Sequence, residues 1–176
     1  LVVDLCRDEN YQRHHIPGAV HISPSELVSG RQPAIGKLPP IESLKRLFSR
    51  IGYEPGKNII AYDDEGGGWA GRFIWTLDVV GHKKSSYLNG GLIAWAEDQL
   101  PLTSSVRETK ETKVALTTHS EFIAEKEEVL ASLNNANIQI WDARSHEEYM
   151  GKKVFAARGG HIPGAINFDW LELMDK

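Results

Sequence analysis

Short apolar runs separated by polar, glycine-rich stretches give this chain an alternating pattern of predicted strands and helices. Leu1 to Asp4, Val20 to Ile22 and Asn58 to Tyr62 are each three to five residues long, apolar in most positions, and predict strands; Ser85 to Leu88, apolar in its second half, predicts a fourth. Between the second and third of them, Leu44, Leu47, Phe48 and Ile51 recur at helical spacing, which predicts a helix over 41–51 capped by Gly52. A second helix, 69–80, carries Trp69, Phe73 and Leu77 on one stripe with Ile74, Val79 and Val80 beside it, apolar enough to be largely buried. A short third helix, 92–97, is anchored by Trp95. Strands alternating with helices across short connections imply parallel pairing, hence an α/β domain of three layers ending near Leu100.

The next stretch holds Thr, Ser and charges without an apolar period, so 101–117 is expected to be a linker. Thr118 and Glu121 have the spacing of a capping box, and Phe122, Ile123, Val129, Leu130 and Leu133 predict an apolar face on a following helix. Ile138 to Asp142 predicts another strand. At this point the chain repeats itself. Asp4-Leu-Cys-Arg7 returns in outline as Asp142-Ala-Arg144, Tyr11 as Tyr149, and His15-Ile-Pro-Gly-Ala19 letter for letter as His161-Ile-Pro-Gly-Ala165. The step from Asp to His is 11 positions in the first occurrence and 19 in the second, so the second carries eight extra residues. The expected organisation is a complete domain over 1–100 and the first part of a second over 118–176.

Composition narrows the function classes. Apolar and charged fractions of 41% and 25% are those of an ordinary globular chain, and the net charge of −4 comes without any basic run, so nucleic acid is not an expected partner. No stretch reaches the length of a membrane span or reads as a signal peptide, and no membrane partner is expected. One Cys permits no internal disulfide, which fits a reducing, cytoplasmic setting. The seven His residues show no metal-ligand spacing, so neither metal nor cofactor is expected. The chain begins on a strand-like segment without Met, as a trimmed sequence would.

The candidate site is the connection between the third strand and the second helix. Asp63-Asp64-Glu65-Gly66-Gly67-Gly68 leads directly into Trp69, and the free N–H groups of such a loop and of the helix's first turn converge where an anion, dissolved or from a side chain, would be held. Yet the loop carries three carboxylates and no Cys, Ser, Lys or His nucleophile. Arg72, one turn along the helix, could face an anion or pair with Asp63 or Asp64. Cys6 follows the first strand away from any anion-cradling loop and reads as structural. Asp4 with Arg7 and Asp142 with Arg144 are expected to hold turns, and His15 and His161 to support the bend at Ile-Pro-Gly.

Taken together, the Asp and Arg after the strand, the Tyr, the Gly-His-Ile-Pro-Gly-Ala segment, the Tyr62 to Gly68 loop and Leu88-Asn-Gly-Gly-Leu-Ile-Ala-Trp95 resemble the tandem rhodanese-like sulfurtransferases of the thiosulfate and 3-mercaptopyruvate type. The resemblance implies a rhodanese-like αβα fold with a mostly parallel central sheet, and a second rhodanese domain in the same polypeptide as intramolecular partner. It also implies transfer of sulfane sulfur from a small donor, thiosulfate or a mercaptan, to a thiol or cyanide through a Cys persulfide. Asp63 stands where that family's Cys falls, so the nucleophile is expected beyond residue 176 and the chain alone is expected to be inactive. Arg158, in the eight-residue insertion, matches a substrate-binding Arg of mercaptopyruvate-type relatives. Two other readings stand beside this one: a non-catalytic rhodanese-like module that binds or regulates a partner, and Asp63 as a phosphoryl acceptor. The second of these would call for a further acid two residues on followed by Thr or Val, and Glu65-Gly66 does not supply it.

Overall fold

A computed structural model describes residues 1–174 and divides the chain into two compact units, the first ending at Ile123 and the second beginning at Ala124. In the first unit, strands β1 (Val2–Asp4), β2 (Val20–His21), β3 (Ile59–Tyr62) and β4 (Ser85–Tyr87) form one parallel sheet in the order β2-β1-β3-β4. Helices α1 (Asp8–Arg13), α2 (Ile41–Arg50), α3 (Gly68–Val79) and α4 (Gly91–Glu97) make the connections and the last crossing. Strand residues alternate between two cores. Val3, Leu5, Ile59 and Ala61 meet Leu44, Leu47 and Phe48 of α2 and Ala70, Phe73 and Leu77 of α3 on one face, whereas Tyr62 joins Cys6, Ile16, Ala19 and Leu92 on the other. The expected three-layer α/β architecture with a parallel sheet is therefore the observed one.

Sheet order sets where a site can form. The chain leaves β1 for β2 on one side and returns to β3 on the other, so the carboxyl ends of β1 and β3 flank the point where strand order reverses, the usual crevice for ligands in open α/β sheets. The loops that open there are 5–7 and 63–67.

Three sequence-based expectations change. The polar turn after β1 is instead the helix α1; Tyr11 is its only buried residue, so no apolar period announces it, while Asp8 and Glu9 at its start and Arg13 at its end suit the helix dipole. The expected linker 101–117 does not run free, for the stretch to Ile123 packs along the first unit. Thr103 bridges His15 in both directions at 2.8 and 2.9 Å, Val114 and Leu116 pack on the main core, and Thr112 N–H and Thr109 Oγ1 donate to the Ser49 and Arg50 carbonyls. His119 N–H reaches the Val79 carbonyl at 2.7 Å and Trp75 Nε1 donates to Phe122 O at 2.8 Å. Backbone carbonyls at the ends of α2 and α3, which lack intrahelical donors, thus draw this polar stretch onto the domain. For the same reason the capping box expected at Thr118 is absent: a 3-10 turn, Ser120–Phe122, stands there, and α5 (Lys126–Ser132) starts only after Glu125.

The second unit reproduces the opening of the first. Strands β5 (Trp141–Asp142) and β6 (Ile166–Asn167) pair in parallel, with Asp142 opposite Asn167 as Asp4 is opposite His21. Tyr149, at the end of α6 (His146–Tyr149), stacks on His161 at 3.7 Å as Tyr11 stacks on His15 at 3.9 Å. Each Tyr hydroxyl donates to the carbonyl of the repeated Ala, and each His Nδ1 faces its Tyr carbonyl. Gly18 and Gly164 take φ of 80° and 79°, which explains why the repeated bend ends in Gly. The two segments therefore share one shape. Their burial differs: Val3 and Leu27 are fully buried, while the corresponding Trp141 and Leu173 are 59% and 75% exposed. Among the described residues, only a 3-10 turn, Trp170–Leu173, follows β6.

Candidate active-site loop

The loop after β3 is closed around its own first side chain. Asp63 Oδ1 accepts the backbone N–H groups of Glu65 (3.1 Å) and Gly67 (2.8 Å), and Oδ2 accepts those of Trp69 (3.0 Å) and Ala70 (2.9 Å). Asp63 is only 1% exposed. The convergence of donors expected from the sequence is present, and the anion that fills it is Asp63 itself. Gly67, at φ 96°, caps α3 in the left-handed region and turns its N–H inward; a Cβ there would also sit 3.1 Å from the Tyr87 ring. The Asp63 backbone is fixed from the opposite side by α4: Leu92 N–H donates to the Asp63 carbonyl at 2.9 Å, and the close approach leaves no room for a side chain at Gly91.

The other two acids are engaged as well. Arg7 pairs with Glu65 through Nε and Nη2 at 2.8 and 2.7 Å, and Asn10 Nδ2 donates to Asp64 Oδ2 at 2.5 Å. Arg7 therefore serves this loop rather than Asp4, which corrects the expected Asp4–Arg7 turn. In the second unit the expected pairing is found: Arg144 holds both oxygens of Asp142 at 2.9 and 2.6 Å, and its hydrogen bonds keep the Asp142 carboxyl below its usual range.

Asp4 has a different role. Its Oδ1 accepts Cys6 N–H at 2.8 Å, and its Oδ2 accepts the Tyr62 hydroxyl at 2.5 Å, while that hydroxyl accepts Ile16 N–H at 3.0 Å. Burial pushes the Asp4 carboxyl above its usual range despite these donors. The sequence reading missed Tyr62; the available signal was a Tyr closing a buried strand, since a phenol in a core needs a polar partner. Cys6 is fully buried between these groups, and burial followed by the Asp4 carboxylate drives its thiol far upward, the reverse of an activated nucleophile.

Because folding raises the Asp4 pKa, the protonated acid is favoured in the folded state. Its contribution to stability is complete below the unfolded value of about 4 and is lost as pH rises through the folded value. Asp4→Asn is accordingly expected to flatten the decline of stability on that rising limb, as read from urea midpoints at a series of pH values. An unchanged pH profile would remove Asp4 as its source.

Arg72 does not face the loop. Its guanidinium donates to the carbonyls of Leu27 (3.0 and 3.2 Å) and Gly36 (2.8 Å) and lies 4.5 Å from the Trp75 ring, so it ties the segment before α2 to α3. Arg158 lies in the second unit, where with Asp142, Arg144, Gly160 and His161 it lines a cavity of about 590 Å³. Among the described residues no group of three or more His, Cys, Asp or Glu could hold a metal ion, and no helix is long and apolar enough to cross a membrane.

Known proteins supply the context for this geometry. The rhodanese-like domain model matches residues 1–98 and 125–176. The chain is 48% identical over 175 residues to the thiosulfate sulfurtransferase of Azotobacter vinelandii, covering 99% of itself and 65% of that protein. It is 31% identical over 169 residues to the 3-mercaptopyruvate sulfurtransferase of Escherichia coli K12, covering 94% of itself and 60% of the relative. SseA of Escherichia coli, solved as a 3-mercaptopyruvate sulfotransferase with a "Rhodanese" fold, superposes with a TM-score of 0.88 at 30% identity, over 99% of this chain and 70% of SseA. The chain thus spans about 65% of the length of the first of these relatives. With a parallel sheet, a glycine loop opening α3 and a repeated His-Ile-Pro-Gly-Ala bend all in place, the chain belongs to the rhodanese-like domain family.

Proposed function

We propose that this chain is the non-nucleophilic portion of a two-domain sulfurtransferase that moves sulfane sulfur from thiosulfate or a mercaptan donor to a thiol or cyanide. The reacting Cys would lie outside these 176 residues, in a second rhodanese domain of the same polypeptide. In that chemistry a thiolate attacks the outer sulfur of thiosulfate, the S–S bond breaks with its electron pair leaving on sulfite, and a Cys persulfide remains. Cyanide then takes the outer sulfur as thiocyanate and the thiolate is restored.

The observation that carries the reading is the occupant of the cradle. A rhodanese-type loop needs a thiolate where loop N–H groups and a helix N-terminus meet, and here that place is filled by the Asp63 carboxylate. Cys6, buried with its thiol pushed upward, does not replace it. In the second unit the repeated opening, β5 to β6, supplies the start of another such domain, and Arg158 beside Arg144 and His161 suits an anionic donor bound there. A lone Cys without a disulfide partner suits a reducing, cytoplasmic setting.

The pure 176-residue chain is expected to form no thiocyanate from thiosulfate and cyanide. Turnover by this chain that disappears in Cys6→Ser would overturn the assignment. The loop closed on itself also fits a module that binds rather than reacts. A longer polypeptide from the same source, carrying a Cys in a second glycine loop and active in the same assay, would decide for catalysis, and an inactive one for the binding module.

A further inference from the structure

We infer that Asn89 is a site of spontaneous chemical modification, converting slowly to aspartate and isoaspartate, and that the isoaspartate form frees the Asp63 carbonyl from α4. Asn89-Gly90 is the only Asn-Gly pair in the sequence, and every other Asn precedes a residue that carries a Cβ. The pair joins β4 to α4 in a turn closed by Gly91 N–H on the Leu88 carbonyl at 2.9 Å, and both residues are exposed. Among the described residues the Asn89 side chain has no hydrogen-bond partner, and the peptide between Asn89 and Gly90 has none at its N–H or its carbonyl. The bond that closes the turn spans this peptide without holding it. The peptide can therefore rotate until the Gly90 nitrogen meets the Asn89 Cγ, with no hydrogen bond to break and no Cβ on Gly90 in the way.

The reaction needs only water. The Gly90 nitrogen bonds to Asn89 Cγ, the bond from Cγ to the side-chain nitrogen breaks, and the proton of the Gly90 N–H leaves with that nitrogen as ammonia. A cyclic imide remains. Water adding at Cγ restores the ordinary peptide and gives aspartate, whereas water adding at the main-chain carbonyl carbon gives isoaspartate, in which the chain runs through Cβ and Cγ.

The fold keeps the pair reactive and decides which product matters. A Cβ at residue 90 would collide with the Ala94 Cβ, so no bulkier residue can shield Asn89 from that side. Two residues on, Leu92 N–H holds the Asp63 carbonyl at 2.9 Å, and Gly91 lies so close that a Cβ there would strike the same carbonyl oxygen. Aspartate at the exposed turn changes charge alone. Isoaspartate inserts a main-chain carbon just before a contact without slack, and Leu92 N–H is drawn off the Asp63 carbonyl.

The test follows the folded 176-residue chain through storage in warm, mildly alkaline buffer. Peptide mass spectrometry locates the amide-to-acid conversion, and labelling by an isoaspartyl methyltransferase marks the isoaspartate fraction. Asn89 is expected to convert roughly tenfold faster than Asn134, Asn135 or Asn137, which are equally exposed but precede residues with a Cβ. In the isolated isoaspartate fraction, amide exchange at Leu92 should be several-fold faster than in the fresh chain. Freshly prepared Asn89→Asp, with the charge but not the extra carbon, should match the fresh chain, and stored Asn89→Ser should show neither change. Conversion at Asn89 no faster than at the other three would overturn the inference. So would conversion in urea but not in the folded chain, or equal Leu92 exchange in the isoaspartate fraction and in Asn89→Asp.

Discussion

Asp63→Cys is expected to yield a chain whose thiocyanate formation stays below about 1% of that of a two-domain sulfurtransferase assayed beside it, a gap of the size produced when electrostatic support at a reacting centre is lost. Deprotonation would not be the obstacle. A Cys at this position would inherit the donors that now serve Asp63 and the positive end of α3, the surroundings that favour a thiolate. Approach and field are the obstacle. The donor is a dianion, and it would have to reach a position now 1% exposed, past Asp64, which Asn10 binds without neutralising, and past Glu65, with Tyr87 lying over Gly67. Arg7 offsets Glu65 but is held by it. The check is thiocyanate production with thiosulfate and cyanide, together with the mass of the chain after thiosulfate alone, which should show little added sulfur. A rate near that of the reference enzyme would mean that the acids at the mouth do not repel the donor. Adding Asp64→Asn to Asp63→Cys should raise the residual rate.

The sequence made the centre of the sheet legible because β1 and β3 are nearly continuous apolar runs and the longer helices carry clear apolar faces, as Leu44, Leu47 and Phe48 do on α2. Helix α1 escaped because a six-residue helix with one buried side chain has no period to detect. The stretch from 101 to 123 escaped for a related reason: it is tied down mainly by hydroxyl and backbone donors to carbonyls at the ends of α2 and α3, and composition does not report where a carbonyl lacks a partner. At the candidate site the convergence of N–H groups was readable from strand, glycine loop and helix. Which anion fills it was not, because Asp63, Asp64 and Glu65 are chemically alike in the sequence and differ only in what they meet: the loop itself, Asn10 and Arg7.

The repeat acts as an internal control on what completion of a domain does to an acid. Asp4 and Asp142 occupy the same place in the two occurrences, each ending the first strand and each opposite the second residue of the next strand. In the first unit β3 covers the free edge of β1, Tyr62 arrives as partner, and burial raises the Asp4 carboxyl. In the second unit β5 is paired with β6, the cavity lined by Ile140 to Arg144 lies along it, and Arg144 lowers the Asp142 carboxyl. Asp142 thus contributes stability that is present above the unfolded value of about 4 and lost as pH falls through its lowered folded value, the opposite of Asp4.

Tyr62 partners the buried Asp4 carboxyl, its hydrogen bond working against the rise that burial causes, and Tyr62→Phe is expected to destabilise the first unit by about 3 kcal/mol, from two buried polar groups left unpaired. The ring would stay packed among Cys6, Ile16, Ala19 and Leu92, so no large cavity forms. What disappears is the hydroxyl that donates to Asp4 Oδ2 and accepts Ile16 N–H, both in fully or nearly fully buried residues. Tyr11→Phe supplies the comparison, because it removes a single 3.2 Å bond to the Ala19 carbonyl and should cost about 1 kcal/mol. Amide hydrogen exchange at β1 and β3 reads the first unit separately from the second, and there the Tyr62 variant should exchange distinctly faster than the Tyr11 variant. If the two variants exchange alike, the Asp4–Tyr62–Ile16 chain is not what joins the ends of β1 and β3. The loop that Asp63 closes would then owe its position to α4 through Leu92 and to the contacts of Arg7 and Asn10.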